Sequence, residues 1–257
     1  MASAADLIAR RLYDAGCRHA FGIPGGEVLT LIDALNRAGI EFVLTKHENG
    51  AGFMAEGTYH MTGAPGVLVA TIGPGAANAV NVVANAEQDR VPLIVLTGCV
   101  DAVEALTYTH QVFDHGALFG PITKATFKVA DGAADVLADK AVAIALEERQ
   151  GPVHIDLPIS VAAAAQPADA PAPRYLPPAP AGPTEGPDIA QARAWLAAAE
   201  RPIMIAGLDV LTHGAEATVA SFCQDLRMPL ITTYKAKGVL PEDDPLALGG
   251  AGERIKH

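Results

Sequence analysis

Over roughly its first 160 residues the chain alternates short, mainly apolar runs with longer stretches of helical spacing, and few folds accommodate that rhythm. The apolar runs fall at residues 18–22, 42–45, 67–71, 93–97 and 153–157. They are continuous rather than alternating, as strands buried on both faces are. Between them, residues 29–38, 48–62, 76–88 and 133–149 space their apolar side chains as helices do. Strand and helix in repeated succession predict an α/β fold, a parallel sheet flanked by helices. Such a sheet gathers its strand-to-helix loops on one edge, where open α/β folds bind ligands.

The pattern then breaks. Residues 164–187 are rich in Pro and Ala and read as an extended, semi-rigid linker between a first domain, residues 1–163, and a second, residues 188–257. In the second, helices are expected at 189–199 and 215–226 and strands at 202–206 and 229–233, the start of another doubly wound α/β domain. The closing GGAGERIKH reads as a loop. Two strands and two helices make a poor independent core. The expectation is therefore an incomplete domain whose remainder comes from a longer chain or from a partner.

Composition narrows the function. Half of the 257 residues are hydrophobic and 18% are charged, which excludes a disordered chain. The formal net charge is −11 and there is no basic run, so neither nucleic acid nor an anionic membrane is an expected partner. No run of 18 apolar residues suggests a transmembrane helix. The N-terminal MASAADLIARRLYDAG is an amphipathic helix pattern without the apolar core of a signal peptide. Cys17, Cys99 and Cys223 are far apart and form no C-x-x-C pair, which argues against disulfides and a cysteine zinc site and fits a cytoplasmic protein.

Three strand-to-helix junctions carry the chemistry. In HENGAGFMA, Glu48 opens a helix; an acid there complements the helix dipole, which is its ordinary explanation. Its small, apolar neighbours add a second reading, because they strengthen any hydrogen bond the carboxylate makes. In TIGPGAAN, residues 71–78, the glycines allow a ligand close to the backbone and the first helical amides are free to donate. The third junction is GIPGGE, residues 22–27. None is a G-x-G-x-x-G or a Walker loop, so a dinucleotide or nucleoside triphosphate site lacks its fingerprint. His110, His115 and Asp114 lie in a polar connection, but the histidine spacing does not repeat on one helical face and no third ligand is apparent, so no metal is expected. The remaining histidines, among them His154, read as surface or satisfied core residues.

Taken together these segments resemble the thiamine diphosphate-dependent enzymes of the acetolactate synthase and pyruvate oxidase group. The resemblance runs through FGIPGGEVLTLIDAL, KHENGAGFMAEG, ATIGPGAANAVNVVANAEQDRVPLIVLTG, HQVFD, PITKATFKV and GPVHIDLP, then RPIMIAGLDVL and MPLITTYKAKGVLPEDDPLALGGAG. It implies that residues 1–163 are a pyrimidine-binding domain and that the later residues begin a central domain. It also implies carboligation or decarboxylation of pyruvate or another 2-keto acid, with Glu48 hydrogen-bonded to N1′ of the cofactor's aminopyrimidine. Ile23, Pro24 and Gly25 would lie beside the pyrimidine and thiazolium. Thr71, Pro74, Gly75 and Asn78 would line the pyrimidine end, and Gln111 would face the reacting carbon. Lys124 reads either as part of that set or as a surface lysine. In this group the diphosphate and Mg²⁺ are held by a Gly-Asp-Gly motif in a C-terminal domain, which this sequence lacks. The resemblance therefore implies no metal ligand in this chain, a diphosphate-binding domain supplied by the full-length chain or a second subunit, and a homo-oligomer, dimer or tetramer. FAD occurs in some members, but nothing in these residues supports it. Two departures stand out: Val112 and Phe113 follow Gln111 where the synthases tend to carry an acid, and the chain closes on ERIKH. Alternatives are a decarboxylase of a larger 2-keto acid or acyl-CoA, and a catalytically silent pairing or regulatory module.

Overall fold

The computed structural model describes residues 2–166, 182–183 and 185–251; most of the stretch read as a linker, and the terminal ERIKH, lie outside them. The chain divides into two units, Met1–Ala179 and Pro180–His257. The first opens with α1 (Ala4–Asp14), closed by a capping box in which Ser3 Oγ accepts from the Asp6 amide and the Asp6 carboxylate accepts from the Ser3 amide. There follow β1 (His19–Gly22), α2 (Leu29–Ala38), β2 (Glu41–Leu44), α3 (Glu48–Thr62), β3 (Gly66–Ala70), α4 (Pro74–Asn78), α5 (Val80–Asp89) and β4 (Leu93–Cys99). The unit continues with α6 (His115–Phe119), β5 (Ala125–Lys128), α7 (Ala134–Leu146), β6 (Val153–Pro158) and α8 (Ile159–Ala163).

The six strands form one sheet in the order β2-β1-β3-β4-β6-β5, and every pair is parallel. Successive residues of the central strands serve opposite cores. Val67, Val69, Ile94 and Leu96 pack with Ile8 and Leu12 of α1 and Leu31 and Leu35 of α2. Leu68, Leu93 and Val95 pack with Ala51 and Ala55 of α3 and Val82 and Val83 of α5. Both faces are covered, which is why these strands read as unbroken apolar runs. The α/β fold expected from the sequence is the one observed.

Several expectations need correction. β5 gave no strand signal because it is a short, half-buried edge strand with the sequence ATFK. The single helix expected at 76–88 is two helices, α4 and α5, divided at Ala79. The second unit, α9 (Pro187–Ala198), β7 (Met204–Ala206), α10 (Asp209–Thr212), α11 (Glu216–Asp225), β8 (Leu230–Thr233) and β9 (Ala247–Ala251), has three parallel strands in the order β7-β8-β9, not two. β9 contains Gly249 and Gly250 of the segment expected to form a loop, the rest of which after Ala251 lies outside the described residues; Gly250 pairs with Thr232 of β8, with a register shift between Leu230 and Thr232, and glycines leave no apolar signature. Among the described residues no helix is long and apolar enough to cross a membrane.

The sheet interior also holds a polar chain. His154 of β6 is fully buried between Thr97 of β4 and Thr126 of β5, with Nε2 2.7 Å from Thr97 Oγ1 and Nδ1 2.6 Å from Thr126 Oγ1. Thr97 Oγ1 donates to Asp156 Oδ1 at 2.7 Å, so its oxygen accepts from His154 Nε2–H. Nδ1 accepts from Thr126 in the neutral ring, the form that full burial favours. Burial pushes its pKa from the ordinary 6.5 down to about 4, against the attraction of Asp156.

A group whose folded pKa lies below its unfolded one binds more protons when unfolded. Its contribution to stability is complete above the unfolded pKa and falls as pH drops toward the folded value. For His154 that window is pH 6.5 to about 4, and the loss is on the order of 3 kcal/mol. Asp156, whose carboxyl is held below its ordinary 3.8, acts at more acid pH. Urea unfolding of the first unit, followed by far-UV circular dichroism, is therefore expected to weaken across the His154 window. The fall should be smaller in His154→Gln. Parallel pH curves for the two proteins would contradict this account.

Candidate active site

Three junctions meet at the carboxyl edge of the sheet. The first follows β1 and carries Ile23, Pro24, Gly25 and Glu27 into a 3-10 turn at Gly26–Val28. A Cβ on Gly25 would stand 2.2 Å from Thr71 Oγ1, so this loop rests directly on the end of β3. The contact is polar as well: Thr71 Oγ1 donates to Glu27 Oε2 at 2.6 Å.

The second junction follows β2. His47 is the N-cap of α3, its Nδ1 accepting from the Asn49 amide at 3.1 Å. Glu48 is the first helical residue and is buried, the residue as a whole being only 4% exposed. The third junction follows β3 and begins α4. Pro74 is the first residue of α4, where a missing N–H costs nothing. Asn78 closes the same short helix, and its Nδ2 donates to Glu48 Oε2 at 3.0 Å. Oε1 is left without a partner among the described residues. It lies beside Gly75, where a Cβ would stand 3.4 Å from Oε1 and 2.8 Å from Thr71 Cγ2. The absent side chain at Gly75 thus keeps a gap in front of the free carboxylate oxygen.

Glu48, Thr71, Gly75 and Asn78 are brought together, with Gly25 against Thr71. Ile23 is half-buried and Pro24 and Pro74 are exposed, all on the same edge, and no hydrogen bond joins them to Glu48. Gln111 is exposed and has a left-handed backbone, φ 62°. Its carbonyl packs on Gly73: a Cβ there would lie 2.2 Å from Gln111 O. Lys124 does something different from either reading above. Its Nζ donates to the carbonyls of Ile144 and Glu147 and so satisfies the carboxyl end of α7.

Sequence reasoning missed a second polar group behind the Gly73–Gly75 loop. His115, the first residue of α6, is buried, accepts from the Gly73 amide at Nε2 (3.0 Å) and lies 3.0 Å from Asp156 Oδ1 through Nδ1. His115, His154 and Asp156 bring ligand-capable atoms within 4.8 Å of one another, a spacing that would suit an ion. Hydrogen bonds already engage both ring nitrogens of each histidine and the facing Asp156 oxygen. A cavity of about 570 Å³ opens beside them, lined by Ile72, Cys99, Phe113, His115, Lys128 and Asp156 among others. Burial raises the Cys99 thiol and nearby Asp156 adds to the effect, which disfavours the thiolate at this wall of the cavity.

Comparison with known proteins finds relatives along most of the chain. A probable acetolactate synthase large subunit of Methanocaldococcus jannaschii is 36% identical over 256 residues, 96% of this chain and 43% of that protein. The acetolactate synthase isozyme 1 large subunit of Escherichia coli is 37% identical over 252 residues, 96% of this chain and 44% of that protein. A probable 2-ketoarginine decarboxylase of Pseudomonas aeruginosa is 35% identical over 253 residues, 97% of this chain and 45% of that protein. The chain thus spans less than half the length of these curated relatives. Residues 2–118 match the thiamine pyrophosphate enzyme N-terminal TPP binding domain, and residues 189–256 match the central domain of the same enzymes. The chain belongs to the thiamine pyrophosphate enzyme family.

Proposed function

We propose that the first unit holds the aminopyrimidine of thiamine diphosphate and supplies the carboxylate that activates it, within an acetolactate synthase-type enzyme acting on pyruvate or another 2-keto acid. The observation that carries this reading is the Glu48–Asn78 pair beneath Gly75. One oxygen of a buried carboxylate is fixed by an amide, and the other faces a gap that a Cβ would fill. A ring nitrogen able to donate a hydrogen bond fits that oxygen. Gly25, Thr71, Pro74, Ile23 and Pro24 would shape the walls, and Gln111 would approach from the far side.

When bound, the cofactor supplies a nucleophilic carbon and an electron sink. Glu48 supplies a proton acceptor held in a low-dielectric setting, where a hydrogen bond to it is strong. Asn78 holds the carboxylate in one orientation, so its free oxygen does not have to be ordered during the reaction. Mg²⁺ and the diphosphate would be held by another domain, from a longer chain or a second subunit in a homo-oligomer, since no Gly-Asp-Gly is present here. The relative named for 2-ketoarginine decarboxylation favours a decarboxylase of a larger 2-keto acid as the second reading. Product analysis of the assembled enzyme separates the two.

The direct test is exchange of the thiamine diphosphate C2 proton into heavy water, followed by NMR with millimolar cofactor and Mg²⁺. The chain is expected to accelerate exchange over free cofactor, and Glu48→Gln to remove about 10²–10⁴ of any such acceleration. Equal exchange by the two proteins would overturn the role given to Glu48. Asn78→Ala should cost roughly ten- to a hundredfold in the same assay, as loss of a hydrogen bond to a charged group does. The 257-residue chain alone is expected to turn over no pyruvate, and measured turnover would refute the division of labour between domains.

A further inference from the structure

Gly73 makes the turn from β3 into α4 with φ 63° and ψ −110°, a conformation open to glycine and costly to other residues. Its amide is buried and, among the described residues, donates to no backbone carbonyl; its partner is His115 Nε2 at 3.0 Å. A backbone N–H needs a lone pair to accept it, so Nε2 carries no proton and the ring proton sits on Nδ1. Nδ1–H donates to Asp156 Oδ1 at 3.0 Å, and Thr97 donates to the same oxygen at 2.7 Å. Burial alone would raise the Asp156 carboxyl; the hydrogen bonds from His115 and Thr97 and the nearby histidines hold it below its ordinary range. Asp156 is therefore a fixed carboxylate on the rigid sheet, and His115 is an arm from it to the loop.

α4 is a five-residue helix that begins immediately after Gly73 and ends at Asn78. Holding Gly73 holds the helix start, and with it both Gly75 and the amide that orients Glu48. We infer that His115 is a positioning residue: as the Nδ1–H tautomer it ties the Gly73 amide to Asp156 and thereby sets the Gly75–Asn78 segment against Glu48. The anchoring stands on its own geometry, and its effect on cofactor binding rests on the reading in the preceding subsection.

The test uses the 257-residue chain and two variants, His115→Val and His115→Gln. Valine removes the acceptor. Glutamine can place a carbonyl oxygen near the position of Nε2. In the parent chain, ¹⁵N NMR of labelled histidine should show an unprotonated Nε2 and a protonated Nδ1 for His115. Hydrogen exchange at the Gly73 amide should rise about tenfold or more in His115→Val and return toward the parent value in His115→Gln. Thiamine diphosphate affinity, measured by calorimetry with Mg²⁺, should fall roughly tenfold in the valine variant and recover in the glutamine variant.

Unchanged Gly73 exchange in His115→Val, or a proton on Nε2 in the parent chain, overturns the proposal. If Gly73 responds as stated while the parent chain shows no thiamine diphosphate binding, the anchoring stands and the cofactor reading fails. If affinity falls in both variants alike while Gly73 stays protected in His115→Gln, the link from loop to cofactor is overturned. Should the valine variant not fold, the tautomer of the parent chain and the glutamine variant still decide the matter.

Discussion

Parallel pairing of the six strands is the constraint on which the first unit depends. A parallel strand cannot return through a tight turn, so each strand must be followed by a crossover, usually a helix. Every such crossover starts at the same edge. Thr71, Glu48, Gly25 and Gln111 come from four stretches of sequence, yet they share a neighbourhood because the strands all point one way. The two apolar cores make that edge rigid, since each central strand is clamped on both faces.

The edge is specified as much by missing atoms as by present ones. Gly25 lets the first loop lie on Thr71, and Gly75 leaves Glu48 its gap. Glu48 is meanwhile held by one directed bond on a well-defined helix start. One oxygen of the Glu48 carboxylate is fixed by Asn78, and the other is left beside Gly75 with room for a further donor.

Much of this was legible in the sequence, for identifiable reasons. β3 and β4 announced themselves because both their faces are buried, and Glu48 and the Gly73–Gly75 turn stood out because they sit at strand-to-helix junctions; Asn78 was implied only by the family resemblance. β5 was not legible because an edge strand lacks the doubly buried pattern, and β9 was not because glycines pair through the backbone and leave no hydrophobic trace. The His115–Asp156 bond joins residues 41 positions apart, and its meaning depends on which ring nitrogen faces Gly73. Local pattern carries neither piece of information. Lys124 illustrates the converse: its neighbours in sequence suggested a choice between site and surface, whereas its partners are the last carbonyls of a helix packed nearby.

The polar chain within the sheet has a direction. From one side Thr126 donates to His154, His154 to Thr97, and Thr97 to Asp156; from the other Gly73 donates to His115 and His115 to Asp156. Both runs end on the same carboxylate oxygen. A proton wire needs a continuous head-to-tail order, so that a proton entering at one end can release another at the far end. Here two opposed runs collide at a common sink. The network therefore offers no proton path between the loop and the sheet interior: it acts as a mooring, holding the loop to a fixed carboxylate on the sheet.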